Sequence, residues 1–320
     1  MQAIAKTLII FGIILIANCH AMAQTYVRVA IIQDTGSLRL AINGFYKIID
    51  SQTQKVLQHG KSINTTVIFD KNGILLSGKY FASQKLFICA DDPESIIINN
   101  RKFRGNIELV KKENLGLLVI NFIELEDYIK GILYHEVSHY WPQESLKAQA
   151  IVCRTYALYQ ARQNSVKDYD LTADIYSQVY GGKTSERYRT NKAVDETKGL
   201  VLTYQGKVFP AYFHATCAGH TEDASLLWNI DLAPLKGVVC NFCKGSPHFN
   251  WHYLVALNQI KDALIKSGKL REKIKSIHLQ GKDNSGRITN LIIKSEKDTL
   301  IIAAKDFRMI LGPNNIRSTN

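Results

Sequence analysis

The sequence predicts an α+β protein, with antiparallel strand-rich N-terminal and C-terminal parts around a central helical pair that carries a candidate catalytic glutamate. Three observations predict it. Short β-type runs broken by turn residues fill residues 26–120. Two apolar stripes at helical spacing fill residues 125–163. Three further β-type runs and a short helix close the chain. A length of 320 residues is ample for a large core or for two domains. Neither a low-complexity linker nor an internal repeat interrupts it, which favours one compact body with subregions.

The chain opens on a targeting segment, residues 1–23. Lys6 is its only charge, Thr7 to Ala17 is an apolar run of signal-peptide length, and Ala21-Met22-Ala23 is a cleavage site of the A-x-A type. The run is short of the ~20 residues a membrane span needs. Asn18 is a poor residue before a lipid-anchored Cys19. We therefore expect cleavage after Ala23 and export across the inner membrane to a periplasmic or wall-associated location, with an uncleaved membrane anchor as the runner-up. The formal net charge is +12. A basic exported chain suits anionic polymers or membrane surfaces. With an export segment and no nucleic-acid fold signature, nucleic acid is not expected as a partner.

Residues 24–120 form a β-rich subregion. YVRVAII, LRLAI, FYKIID, VIFD, FICA, SIIIN, NIELV and LLVINFI are the strands, with turns at Asp34-Thr35-Gly36, Asn43-Gly44, Asn72-Gly73 and Asn99-Asn100. Residues 121–320 follow as the catalytic core. In its first helix Leu125, Tyr128, Ile129, Ile132 and Leu133 make the apolar stripe, and Glu136 lies about 20° off it. An acid on the core side of a helix end is costly when charged. Unpaired, it has its pKa raised and can hold a proton near neutral pH, which is how a general acid is made. The competing reading is a helix-end glutamate that points to water. Pro142 and Glu144 suit the first turn of a second helix, whose stripe is Leu146, Ala150, Cys153 and Ala157. Glu126 and Asp127 read as first-turn acids favoured by the helix dipole.

Residues 165–200 read as a polar loop region with Gln178, Tyr180, Gly181 and Gly182. A hairpin follows, VLTYQ and KVFPAYFHAT about Gly206, with Tyr212 and His214 two apart on one strand face. Residues 214–251 hold Cys217, Cys240 and Cys243 beside His214, His220 and His248. Cys240 and Cys243 have zinc-knuckle spacing. A closed Cys3His zinc site would take His220 as fourth ligand, with His214 and His248 as alternatives. A disulfide is the rival reading in an oxidising space. Cys89 and Cys153 read as small buried apolar groups. Beyond these, residues 253–274 carry a helical stripe of Leu254, Leu257, Ile260, Leu264 and Ile265. IKSIHLQ, ITNLIIK and DTLIIAA are strands, and KDFRMILG is a last helix stopped by Gly312-Pro313.

LEDYIKGILYHEVSHYWPQESLKAQAIVCRTYA resembles the signature of the SpoIID/LytB family of cell-wall proteins. YDLTADIYSQVYGG, AVDETKGLVLTYQ and YFHATCAGHTE are similar to that family's later segments, in the same order, and SGRITNLIIK and FRMILGPNNIRS to its closing ones. Val137 stands where many members have Met, and Ala218 where many have Gly. The resemblance implies a lytic transglycosylase that cleaves peptidoglycan glycan strands, stem-peptide-free ones above all, to 1,6-anhydromuramyl products. Glu136 would be its single acid/base. It also implies substrate-binding roles for Gln149, Arg154, Tyr156, Gln178, Tyr180, Tyr212 and His214. Zinc, if bound, would be structural and unnecessary for the chemistry. The alternative that the family offers is a non-catalytic, glycan-binding enhancer of a cell-wall amidase.

Overall fold

The computed structural model describes residues 25–71, 73–112 and 116–319. The expected export segment, including Cys19 and the cleavage site after Ala23, lies outside the described residues. The chain divides into two compact units, the first ending at Tyr212 and the second beginning at Phe213.

Ten strands open the first unit: β1 (Tyr26–Ile32), β2 (Ser37–Asp50), β3 (Val56–Asp70), β4 (Gly73–Leu76), β5 (Lys79–Phe81), β6 (Lys85–Ala90), β7 (Ile96–Ile98), β8 (Arg101–Phe103), β9 (Asn106–Lys112) and β10 (Gly116–Glu124). Two helices follow, α1 (Leu125–Glu136) and α2 (Gln143–Gln163), then β11 (Leu171–Thr172). These strands make one eleven-stranded sheet in the order β11-β1-β10-β9-β6-β2-β3-β4-β5, with β7 on β2 and β8 on β7. Apart from β1 with β11, the pairings are antiparallel.

Two details depart from the pattern read in sequence. The expected turn at Asn43-Gly44 is a bulge: β2 runs straight through it, and its register on β3 shifts between Asn43 and Tyr46. Gly44, at φ +132°, supplies the conformation that the extra residue needs. The long β3 was legible only at its end, because residues 56–66 bury Ile63 alone. Asn99-Asn100, by contrast, is a turn of the expected kind, both residues being left-handed between β7 and β8.

β10 positions the site. It lies between β1 and β9, and its run GLLVINFIE is apolar on both faces because both faces are covered. Leu117, Val119 and Ile123 enter the main core, while Leu118 and Ile120 join Ala30 and Val110 on the other side. β10 passes directly into α1, whose stripe Leu125, Tyr128, Ile129, Ile132 and Leu133 is buried in the same main core. Leu146, Ala150, Cys153 and Ala157 of α2 complete it. Each such fully buried Leu or Ile contributes about 1.5–3 kcal/mol. The strand-rich segment and the helical pair thus share one core.

The unit ends with α3 (Tyr188–Glu196) and a hairpin of β12 (Thr203–Tyr204) and β13 (Lys207–Val208), turned by Gln205-Gly206 with both residues left-handed. The hairpin is shorter than expected. Its second strand stops at Val208, so Tyr212 and His214 do not share a strand face.

The second unit holds α4 (Ala224–Trp228), α5 (Leu257–Lys266), the antiparallel strands β14 (Ile274–Lys282), β15 (Ile288–Ser295) and β16 (Thr299–Ala303), and α6 (Ala304–Leu311). Its core joins Ile260 and Leu264 of α5 to Leu291, Ile293, Ile302 and Phe307. α5 starts later than the stripe suggested, and Leu254 lies exposed before it. Among the described residues no helix is long and apolar enough to cross a membrane.

Candidate functional site

Glu136 is the last residue of α1. The stripe of that helix fixes its azimuth, so its side chain starts from the core side and reaches outward, half-buried. Its carboxyl accepts a hydrogen bond from the backbone amide of Val179. Burial is the main influence on it and raises its pKa, against that amide. The negative end of the helix dipole works in the same direction. Among the described residues no cationic group enters its electrostatics. Glu136 in turn pushes up the Tyr128, Cys153 and Tyr156 groups beneath burial's own larger effect. Gln149, one turn before Cys153 on α2, points its amide at the Cys153 sulfur at 3.4 Å. The Tyr212 ring lies 6.1 Å from that of Tyr156. Exposed rings stand on the segments that flank the acid: Tyr140 and Trp141 just after it, and Tyr176 just before Val179.

Three expected sugar-facing residues turn out to be buried supports. Arg154 is 0% exposed. Its Nε and one terminal nitrogen form a two-pronged pair with Glu126 at 2.9 and 2.8 Å, and the remaining donors reach the carbonyls of Leu200 and Val194. Sealed from solvent, it has nothing to offer a glycan. Glu126, read earlier as a dipole-favoured acid, is the counter-ion and also accepts from the amide of Gly199 at 3.1 Å. Gln178 and Tyr180 are 1% exposed. Gln178 accepts from the Tyr128 hydroxyl at 3.1 Å, and Tyr180 donates to buried Asn121 at 2.7 Å. Burial and the neighbouring acids drive the Tyr180 hydroxyl far above its ordinary pKa. The Tyr180 ring sits against Gly131, where an added Cβ would meet it at 2.4 Å. These contacts hang residues 173–181, and so the Val179 amide, on α1.

Gln149 and Tyr212 are partly exposed, which the sequence signature does not show, whereas Tyr156 is buried beneath Tyr212. Sequence reasoning missed the Val179 amide, since a backbone donor leaves no residue-type signal.

His214 belongs to the second unit, as do the cysteines. The ligand atoms of Cys217, Cys240 and Cys243 all lie within 4.8 Å of one another. The Cys217 and Cys243 sulfurs are 3.2 Å apart, well beyond a bonded pair at about 2.05 Å. Cys243 is pulled down by the Cys217 amide and then by the Cys217 thiol, while burial and that same contact push Cys217 up to about 11. Three converging thiols of this spacing fit a zinc ion at about 2.3 Å from each sulfur. Such an ion would cross-link residues 217–243 and supply rigidity. His220 stands apart from this cluster: its Nδ1 faces the Thr221 carbonyl at 2.6 Å, and the cluster holds cysteines only. His248 is likewise elsewhere, with its Nδ1 on Arg317 at 3.0 Å.

The site set up by this α+β fold is a half-buried carboxyl at the end of a buried helix. The family model for the stage II sporulation protein matches residues 113–204, the span from β10 through α1, α2 and α3 to the first strand of the hairpin. An uncharacterised protein of Brachyspira hyodysenteriae is 30% identical over 93% of this chain and 79% of its own length. The amidase enhancer of Bacillus subtilis is 38% identical over 32% of this chain and 13% of its own length. The stage II sporulation protein D of Bacillus subtilis is 26% identical over 60% of this chain and 59% of its own. The chain belongs to the SpoIID/LytB family and has a cell-wall related role.

Proposed function

We propose that this protein is a lytic transglycosylase of peptidoglycan glycan strands, with Glu136 as its single acid and base. The observation that carries the reading is the Glu136 carboxyl: half-buried, held by one backbone amide, raised in pKa and without a cationic partner. Burial that favours the protonated form is what a general acid needs.

The reaction needs one carboxyl rather than the two of ordinary glycosidases. Glu136 gives its proton to the bridging glycosidic oxygen, and the bond from that oxygen to the muramyl anomeric carbon breaks. The C6 hydroxyl of the same muramyl ring attacks the anomeric carbon and closes a 1,6-anhydro ring. Its proton passes to the Glu136 carboxylate, which restores the acid. No water is consumed. In this reading the Val179 amide orients the carboxyl, and partly exposed Tyr212 and Gln149 are the groups offered to a sugar, with buried Tyr156 beneath. A zinc ion on Cys217, Cys240 and Cys243 would add only local rigidity.

The similarity to an amidase enhancer favours a second reading, a glycan-binding protein that acts through a cell-wall amidase. Digestion of purified glycan strands, freed of stem peptides, separates the two. Anhydromuramyl ends formed by the wild type and lost in Glu136→Gln support the transglycosylase. Binding without any new ends, equal in both proteins, supports the enhancer. Export, the location in the wall or periplasm, and zinc itself are parts of the same proposal.

A further inference from the structure

The second unit carries a cavity of about 700 Å³ whose lining includes His214, Thr216, His248, Phe249, Trp251 and Arg317. No acid lines it. Among the described residues Arg317 has no carboxylate partner, and its side chain makes one hydrogen bond, from a terminal nitrogen to His248 Nδ1 at 3.0 Å. A guanidinium can only donate, so His248 accepts at Nδ1 and carries its proton on Nε2, where it is a second donor. The cavity therefore offers a planar cation with unused donors, a histidine N–H beside it, and two aromatic rings.

This combination selects its ligand. The unpaired fork of an arginine matches a carboxylate. The volume is that of a small-molecule site and suits a sugar ring or two. Trp and Phe rings offer apolar faces to the C–H face of a pyranose. Neutral chitin-type sugars would leave the guanidinium unused.

We infer that this cavity binds a carboxylate-bearing pyranose, the ring packing on Trp251 and Phe249 and the carboxylate on Arg317 and His248. The inference rests on the glycan-strand reading above and deepens it. In a glycan strand freed of stem peptides, each muramyl ring bears a free lactyl carboxylate. In an intact strand that carboxylate is tied up in an amide. The cavity would then distinguish stripped strands from strands that still bear peptides.

The test uses the full metal-replete chain carrying Glu136→Gln, so that turnover does not change the ligand. Calorimetric titration compares a stem-free muramyl oligosaccharide with the same oligosaccharide methyl-esterified at its carboxylates. Loss of a charge-assisted fork predicts binding of the ester weaker by about tenfold or more. Adding Arg317→Gln abolishes that preference, Arg317→Lys keeps part of it, and Trp251→Ala weakens both ligands alike. Equal affinity for acid and ester, or an undiminished preference in Arg317→Gln, overturns the inference. So does competition by inorganic phosphate as strong as that by the oligosaccharide, which marks a general anion site. Cleavage by the wild-type chain is scored separately. A carboxylate preference without cleavage upholds the cavity and removes the transglycosylase. Cleavage with no such preference does the reverse.

Discussion

At the scale of single residues, Arg154 and Glu136 show how differently two charges are used. Arg154 is sealed in and fully paired with Glu126. Removing one partner of a buried pair strands the other, at a cost of about 3–5 kcal/mol. We therefore expect Arg154→Ala to lower stability by that amount in denaturant unfolding, whereas a glycan-contact role would leave unfolding unchanged and weaken binding alone. Glu136 is half-buried and meets a backbone amide rather than a counter-ion. Its folded pKa lies above the ordinary 4.5, so the folded state holds the proton more tightly than the unfolded chain. Its contribution is most favourable below the unfolded pKa and is lost as pH rises through the folded one. Glu136→Gln should therefore melt higher than the wild type at about pH 7, with the gap closing near pH 4. A gap that widens on acidification would contradict the raised pKa. If Glu136 is the acid, activity should also fall on the alkaline side as this carboxyl loses its proton.

At the scale of elements, the segments that carry the family resemblance meet one another in space. Glu126 from the start of α1, Arg154 from α2 and the stretch Val194 to Leu200 join in one hydrogen-bonded knot. Tyr128 and Gly131 of α1 receive Gln178 and Tyr180. Much of the signature is thus packing that presents one acid. Gly131→Ala is the sharp test. Its methyl would press on the Tyr180 ring, and overpacking of this kind costs about 1–3 kcal/mol. Since Tyr180 anchors the run that includes Val179, the variant should lose activity by more than its lowered melting midpoint explains. Activity retained in full would detach Val179 from the acid. α1 and α2 were legible because their stripes repeat at the helical period, whereas α5 is shorter than its stripe and α3 lies within residues 165–200, which read as a polar loop. β3 was not legible, because an alternation that buries one residue in eleven resembles a loop. Position along the chain revealed Glu136. It did not reveal that Arg154, Gln178 and Tyr180 are enclosed, because enclosure depends on strands and helices distant in sequence.

For the whole molecule, the division at Tyr212 separates the carboxyl site from the cysteine cluster. The second unit has a modest core drawn from α5, α6 and three strands, and residues 229–256 carry little regular structure. A cross-link among Cys217, Cys240 and Cys243 would tie that stretch down. Elemental analysis should find about one zinc per chain, absent from Cys240→Ser. Chelation should lower the melting of the second unit while Glu136-dependent cleavage, measured before melting, persists. A mass two hydrogens short with no metal would show a disulfide instead.

The acid of this protein is steadied by a main-chain amide rather than by a neighbouring side chain. Replacing residue 179 with almost any amino acid leaves that donor in place, so a conventional alanine survey would pass over it. Proline alone deletes it, so Val179→Pro is the substitution that would release the carboxyl.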